Sequence, residues 1–176
     1  DGLVFQPGSK GSLAYATVRY AGSWNGSARG GLTLSGANVA LDHSQVISSS
    51  AGDGASHGLD VSYNSTLVMT DTLVSGHTGQ GLRLLNSTLI VQGGAWRQNS
   101  KDGVYLYNAS ANVSGATLTG NSGYGLWVES ATGITLTGNT LGGNTLADLR
   151  LPTELLAAGI LSGNTFSGSP TILELA

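Results

Sequence analysis

The chain has 176 residues, of which 10% are charged, 40% are hydrophobic and 28 are glycine. This composition is too apolar and too weakly charged for a disordered chain, and a formal net charge of -3 does not supply the basic surface that nucleic acid requires. The length fits one domain, no apolar run reaches the roughly 20 residues of a membrane span, and the absence of cysteine leaves the compartment open.

A tetrad of the form Gly-Leu-x-Leu recurs along the chain, and from its third copy onward the spacing is 22 to 24 residues. In chain order, the copies start at Gly2, Gly31, Gly58, Gly81, Gly103, Gly125, Asp148 and, in degraded form, Ile172. A fixed period in this range is typical of a solenoid, in which each repeat stacks on its neighbour. The repeat therefore predicts the architecture and indicates which side chains face outward.

Each tetrad alternates apolar and variable positions, which is the period-2 pattern of a β-strand. Two further apolar stretches follow in most repeats, such as Leu89-Ile90-Val91 and Ala95-Trp96. Three short strands per coil of roughly 22 residues, separated by Gly, Asn or Ser, predict an all-β fold. We expect a parallel β-helix (β-solenoid) of about seven to eight coils that occupies residues 1–176 as a single domain. The weak helical periodicity at residues 152–158 is interpreted as a bulged turn.

Asparagine recurs in register at two corners of each coil. One set follows the tetrad strand and the other precedes it: Asn64, Asn86 and Asn108, then Asn99, Asn121 and Asn144. Asparagine tolerates the left-handed backbone of a sharp corner, and its amide can bond to the coils above and below. His77 lies one period before Asn99 and is predicted to replace asparagine in that ladder.

With these tetrads and corners, the chain resembles the right-handed parallel β-helix superfamily with the pectin-lyase-like fold, and most closely its generic extracellular repeat modules. The resemblance covers nearly the whole chain, including residues 13–22 and the Ser-Gly-Asn-Thr-Phe-Ser-Gly corner at 162–168. It implies a right-handed coil and an extracellular or cell-surface location. It does not select one function, because the superfamily includes polysaccharide lyases, glycoside hydrolases, epimerases, adhesins and phage spikes.

The variable residues of successive tetrads are expected to form one outward column, with neighbouring rungs about 4.8 Å apart, and a second column lies two residues further on. Together the columns predict a candidate ligand-binding surface of Asp60, Arg83, Tyr105, Tyr107, Trp127, Glu129 and Arg150. Aromatic rings suit the C–H faces of sugars, and arginines suit carboxylates. The same side chains also fit a structural interpretation, in which an Asp60–Arg83 contact and a Trp127–Arg150 cation–π contact stabilise the sheet.

Two lengthened turns, at residues 20–30 and 48–57, precede the second and third tetrads. Insertions in repeat proteins gather on the binding face, so Trp24 and His57 are predicted to line the edge of a groove beside the outward columns. Ordinary exposed loops are the alternative interpretation.

Catalysis has weaker support in the sequence. Glycoside hydrolysis needs two carboxyl groups about 5 to 9.5 Å apart, whereas Asp60 and Glu129 are expected to lie three rungs apart, or roughly 14 Å. Arg83, Lys101 and Tyr105 are the residues that a lyase would draw on. Calcium needs six to eight oxygen ligands, and the sequence does not bring several carboxylates together. We therefore predict no cofactor and no metal site.

These observations favour a non-catalytic structural or adhesion module that contacts a polysaccharide or a cell-surface glycan through its outward columns. The alternative is a polysaccharide lyase or glycoside hydrolase acting on an acidic polysaccharide. Because the tetrads run from residue 2 to residue 175, we expect a segment of a longer protein with flanking domains, or end-to-end self-association.

Overall fold

The computed structural model of the chain, described for residues 2–21, 30–49 and 56–167, is a right-handed parallel β-helix. Its strands form three parallel sheets, A, B and C, which the chain visits in that order on each coil. In sheet A the strands stack as Leu3–Phe5, Gly30–Ser35, His57–Ser62, Leu82–Leu85, Val104–Tyr107, Tyr124–Val128 and Ala147–Arg150. In sheet B they stack as Lys10–Ala14, Asn38–Asp42, Thr66–Thr70, Thr88–Gln92, Ala109–Ser114 and Ala131–Thr137. In sheet C they stack as Thr17–Arg19, Gln45–Ile47, Leu73–Ser75, Ala95–Arg97, Thr117–Thr119, Thr140–Gly142 and Thr165–Ser167.

The predicted fold class and the three strands per coil are confirmed. The described residues make about 6 turns, slightly fewer than the predicted seven to eight. Part of the difference is the degraded eighth tetrad, which begins at Ile172, outside the described residues. Within the described ranges, no helix has the length and apolar character to cross a membrane.

Tetrad residues stack directly on their counterparts in sheet A. Leu82 pairs with Leu59 on one side and with Val104 on the other, and all three are nearly or fully buried. A slip of one residue would move these side chains from the core to the solvent, so the apolar pattern enforces the register. The core is therefore one continuous apolar column inside the coil.

A ladder of buried polar side chains runs beside this core at the corner between sheets C and A. Its members are His77, Asn99, Asn121 and Asn144. The main-chain N–H of each of the first three members bonds to the side chain of the next: His77 N donates to Asn99 Oδ1 at 3.2 Å, Asn99 N to Asn121 Oδ1 at 3.2 Å, and Asn121 N to Asn144 Oδ1 at 3.1 Å. The ladder thus satisfies buried backbone donors where the chain turns and the sheets cannot pair them.

His77 occupies an asparagine position in this ladder, as predicted. Its Nδ1 accepts a hydrogen bond from Ser49 N at 3.0 Å, as an asparagine Oδ1 does elsewhere. Its Nε2 lies 2.9 Å from the carbonyl oxygen of Val46, the central residue of a sheet C strand. Asn121 Nδ2 donates to the equivalent carbonyl of Trp96. These partners require a neutral ring with the proton on Nε2.

The glycine of the tetrad makes room for this ladder. A Cβ atom on Gly103 would lie 2.9 Å from Asn121 Nδ2 and 2.6 Å from the carbonyl oxygen of Gly125. On Gly81 it would lie 2.7 Å from Asn99 Nδ2. The first position of the tetrad is therefore glycine because a neighbouring amide fills the space of a side chain.

We expect Gly103→Ala to lower the free energy of unfolding by about 3 kcal/mol, because the methyl group meets backbone that cannot move without breaking sheet A. Urea denaturation measures the loss. Gly133→Ala is the matched control, since its Cβ would have no atom within 4 Å, and it should change stability by less than about 0.5 kcal/mol. Equal effects of the two substitutions would contradict this account of the tetrad glycine.

The outer asparagines lie at the corner between sheets A and B. Asn64, Asn86 and Asn108 have φ of 58°, 47° and 47°, which is the left-handed conformation predicted for them. Asn108 Nδ2 donates to Asn86 Oδ1 at 2.8 Å, so these exposed amides also bond from coil to coil.

The prediction of a bulged turn at residues 152–158 is wrong. Residues Thr153–Ala158 form a 3₁₀ helix that starts after Pro152 and ends at Gly159, whose φ is 67°. Leu155 and Leu156 pack against the core. Asp148, at the glycine position of its tetrad, accepts a hydrogen bond from Asn144 Nδ2 at 3.0 Å and ends the inner ladder.

Candidate functional site

The outward face of sheet A carries the predicted column of tetrad residues. Register pairs join Asp60 to Arg83, Arg83 to Tyr105, Tyr105 to Trp127 and Trp127 to Arg150. These five candidates therefore lie on successive rungs of one face, because parallel in-register strands place equivalent positions above one another. Tyr107 lies in the second column, two residues from Tyr105, where it pairs with Leu85.

An aromatic cluster occupies the C-terminal half of this face. The Tyr105 and Trp127 rings meet edge to face, with centroids 4.9 Å apart and planes inclined by 72°. The centroid of the Tyr124 ring lies 5.7 Å from that of Trp127. The Arg150 guanidinium carbon sits 4.5 Å from the Trp127 centroid and 5.4 Å from that of Tyr124. The predicted Trp127–Arg150 cation–π contact is thus confirmed.

Tyr124 belongs to this cluster but was not predicted from the sequence. It begins its strand three residues before Trp127, so it falls outside the variable position of the tetrad. The strand starts one residue before the tetrad glycine, so Tyr124 is part of sheet A, and its ring contacts Trp127 and Arg150. An aromatic residue immediately before the tetrad glycine was the available signal.

An ion pair lies on the N-terminal side of the aromatic cluster. Arg83 Nη1 lies 3.2 Å from Asp60 Oδ1 and 3.4 Å from Oδ2, which confirms the predicted contact. Asp60 is only 8% exposed. A carboxylate this deeply buried depends on its charged partner, so the pair contributes to the sheet itself.

Tyr105 donates a hydrogen bond from its hydroxyl to Glu129, in the second column. Burial, and then the neighbouring Glu129 carboxylate, raise the pKa of Tyr105 well above its ordinary value. Glu129 itself is exposed, as is Tyr107. The two columns are therefore connected by side-chain contacts across the face.

Polar residues lie where the chain enters sheet A, and His57, predicted in the lengthened turn, is the first residue of its strand. His57 is 6% exposed, and its Nδ1 accepts a hydrogen bond from Gln80 N at 3.2 Å. Asp102 accepts one from Tyr124 N at 2.8 Å, and Gln80 Nε2 lies 3.4 Å from its other oxygen. Burial raises the pKa of Asp102. Trp24, the other residue predicted at the edge of the groove, lies outside the described residues.

The acidic residues of this face do not converge. In the part of the chain that the structure describes, no three His, Asp or Glu residues come together as a metal site. Asp60 and Glu129, which directly follows the strand ending at Val128, lie three rungs apart, which corresponds to roughly 14 Å. This separation exceeds the carboxyl spacing of glycoside hydrolases.

Comparison with known proteins identifies the fold. Residues 1–141 match the family described as "Right handed beta helix region". The structure is similar to the A-module of the mannuronan C-5 epimerase AlgE4 from Azotobacter vinelandii, with a TM-score of 0.59 and 20% identity over 78% of this chain and 46% of that one. The A-module of the epimerase AlgE6 from the same organism gives a TM-score of 0.38 and 18% identity over 97% of this chain and 46% of that one.

The chain thus corresponds to about half the length of those modules, at 46% of each. No curated protein matches the sequence. At these identities the likeness to the solved structures concerns the fold alone.

Proposed function

Because this chain belongs to the right-handed β-helix family, we propose that it is a non-catalytic extracellular or cell-surface module that binds a polysaccharide along the outward face of sheet A. The observation that carries this proposal is the contiguous cluster of Tyr105, Trp127, Tyr124 and Arg150. The fold shared with a mannuronan C-5 epimerase module makes a polysaccharide the first class of ligand to test.

The cluster suits a sugar for geometric and chemical reasons. Its rings belong to adjacent strands of a sheet, so their spacing is held by the backbone rather than by a loop. Aromatic faces contact the C–H faces of sugar rings, and the nearby hydroxyl and carboxylate of Tyr105 and Glu129 suit sugar hydroxyl groups. Rigid aromatic side chains also lose little conformational entropy on binding.

A non-catalytic role is supported by the way the candidate acids and bases are paired. Tyr105 donates a hydrogen bond to Glu129, and its raised pKa opposes formation of the tyrosinate that a lyase would use as a base. Arg83 forms an ion pair with Asp60, so the Asp60 carboxylate competes with a substrate carboxylate for the guanidinium group. These pairings favour binding over proton abstraction.

We expect Trp127→Ala to weaken polysaccharide binding at least tenfold, or by about 1.4 kcal/mol or more, because it removes the central ring of the cluster. Calorimetric titration with polymannuronate, polygalacturonate and a neutral glucan measures the affinity. Tyr20→Asn is the matched control, since Tyr20 is 78% exposed next to sheet C and its φ of 54° suits asparagine. It should bind like the wild type.

Two results would overturn the proposal. One is the absence of binding to every polysaccharide tested, and the other is an equal loss of affinity in Trp127→Ala and Tyr20→Asn. If incubation with polyuronates instead releases unsaturated products that absorb in the ultraviolet, the non-catalytic role is wrong and the lyase alternative is supported.

A further inference from the structure

The guanidinium group of Arg150 lies over the aromatic cluster of sheet A. Its carbon is 4.5 Å from the Trp127 centroid and 5.4 Å from that of Tyr124, and both distances are within the roughly 6 Å of a cation–π contact. Arg150 is the register partner of Trp127 on the adjacent strand, so the backbone of sheet A holds the two side chains on neighbouring rungs. A sugar that approaches the central ring of the cluster therefore meets this guanidinium group.

Stacking on the rings gives Arg150 a defined orientation. A guanidinium group that stacks on a ring presents its flat face to it, whereas its N–H donors lie in the plane of the group. Such a planar fork bonds two oxygens of one anionic group at the same time. Arg150 is also partly buried, so it loses less side-chain freedom on binding than a fully exposed arginine does.

The second arginine of the face cannot serve in the same way. Arg83 Nη1 lies 3.2 and 3.4 Å from the two oxygens of Asp60, which is only 8% exposed. If Arg83 moved toward a ligand, this buried carboxylate would lose its charged partner, which is strongly unfavourable. The two arginines therefore differ in role, since Arg83 stabilises the sheet and Arg150 is the cation at the aromatic cluster.

The overall charge of the chain gives an anionic polymer no general attraction. The formal net charge is -3, and Glu129 adds a carboxylate to the same face. Long-range electrostatics would thus repel a polyanion rather than steer it to the protein. A preference for such a polymer has to come from a short-range contact, and Arg150 is placed to supply it.

Neutral and anionic sugars differ in what they must displace at this position. A neutral ring reaches the covered face of Trp127 only if it displaces the guanidinium group, and the cation–π contact is then lost. An anionic group bonds to the N–H edge of Arg150 in place, so that contact is kept and charge-assisted hydrogen bonds are added.

We propose that Arg150 is the specificity-determining residue of the sheet A face, and that it selects polysaccharides carrying an anionic group over neutral ones. A carboxylate and a sulfate ester both offer the oxygens that the planar fork bonds. The inference rests on the proposed function and adds to it the charge class of the ligand.

The test uses β-linked manno- and gluco-hexasaccharides in forms that differ only at the exocyclic carbon, which carries a neutral alcohol, a carboxylate or a sulfate ester. Calorimetric titration measures the affinities. In at least one series the wild type should bind an anionic form about tenfold or more tighter than the neutral form, and the tighter of the two anions identifies the group that is read. Arg150→Ala should weaken binding of that anionic form by about tenfold or more, whereas the neutral form should bind no more weakly than to the wild type.

Two further variants separate the position of the charge from the net charge. Arg97→Ala removes the same charge from an exposed position on sheet C, and it should keep the wild-type preference. Arg150→Lys keeps the charge at the cluster but loses the planar fork, and it should weaken binding of the anionic form by about threefold to tenfold. Urea denaturation checks that each variant is folded under the conditions of the titration.

The outcomes distinguish this inference from the proposed function. If the wild type binds none of the forms, the proposed function fails and the inference fails with it. If the wild type binds without preferring an anionic form, or if Arg150→Ala weakens the neutral and anionic forms by the same factor, the inference is overturned while the proposed function stands. An equal loss of the preference in Arg97→Ala and Arg150→Ala would overturn it as well, by assigning the effect to net charge.

Discussion

Asn121→Ala is expected to lower the free energy of unfolding by about 4 kcal/mol, because one buried amide holds three coils together. Its Oδ1 accepts hydrogen bonds from Asn99 N at 3.2 Å and from Asn99 Nδ2 at 2.9 Å. Its Nδ2 donates to the Trp96 carbonyl at 3.2 Å and to Asn144 Oδ1 at 2.9 Å. Alanine would leave these partners buried without replacements, at roughly 1–3 kcal/mol for each group that water cannot reach.

Urea denaturation of the variant and the wild type at neutral pH measures this loss. Asn108→Gly is the control, since it removes an exposed amide of the outer ladder while preserving a φ of 47°. We expect it to cost less than about 1 kcal/mol, because water replaces the lost hydrogen bond. A similar loss of unfolding free energy in both variants would contradict the claim that the buried ladder stabilises the fold more than the exposed ladder does.

The second large effect concerns acid stability. Burial lowers the pKa of His77 from 6.5 to about 4, and the side chain is fully buried. The unfolded chain therefore binds a proton more readily than the folded chain does between these two values. The contribution of His77 is present in full above pH 6.5, decreases as the pH falls toward 4, and amounts to about 3 kcal/mol across that window.

His77→Asn should abolish this part of the pH dependence. Asparagine restores the ladder used on the following coils, so the stability near pH 7 should change by less than about 1 kcal/mol, while the variant should gain about 3 kcal/mol relative to the wild type at pH 4. The measurement is the difference between the two unfolding free energies across this range. Taking the difference also cancels other titrations, including that of Asp102, whose raised pKa acts in the opposite direction.

A difference that stays constant between pH 7 and pH 4 would show that His77 does not titrate as described. His77→Ala provides an independent check, because it removes the ladder partners of Ser49 and Val46 and should be destabilising at every pH.

Much of the fold could be predicted because stacking converts distance along the chain into neighbourhood in space. A residue 22 or 23 positions after another lies on the adjacent rung, so the columns through Asp60, Arg83 and Tyr105 followed directly from the spacing. The same reasoning placed His77 in the asparagine ladder. It failed at residues 152–158, between the last sheet A strand and a sheet C strand, where Leu155 and Leu156 pack against the core from a 3₁₀ helix instead of a bulged turn.

The candidate site was only partly predictable. The spacing placed Tyr105, Trp127 and Arg150 on one face, but it did not indicate that Tyr124 joins them or that Tyr105 bonds to Glu129. Those contacts depend on side-chain rotamers, which neighbouring atoms select and which no periodicity specifies.

The amino-acid sequence alone determined the coil, its register, its core and the set of outward residues, because a repeated apolar pattern allows only one stacking that keeps the inward apolar positions of successive coils buried. Only the tertiary structure decided which outward side chains touch and which are paired. Tyr105 bonds to Glu129, and Tyr124 contacts Trp127 and Arg150, because the packing of neighbouring side chains selects the rotamers that bring these groups together. The choice between a binding platform and a catalytic centre depends on those pairings, and they arise from packing in three dimensions.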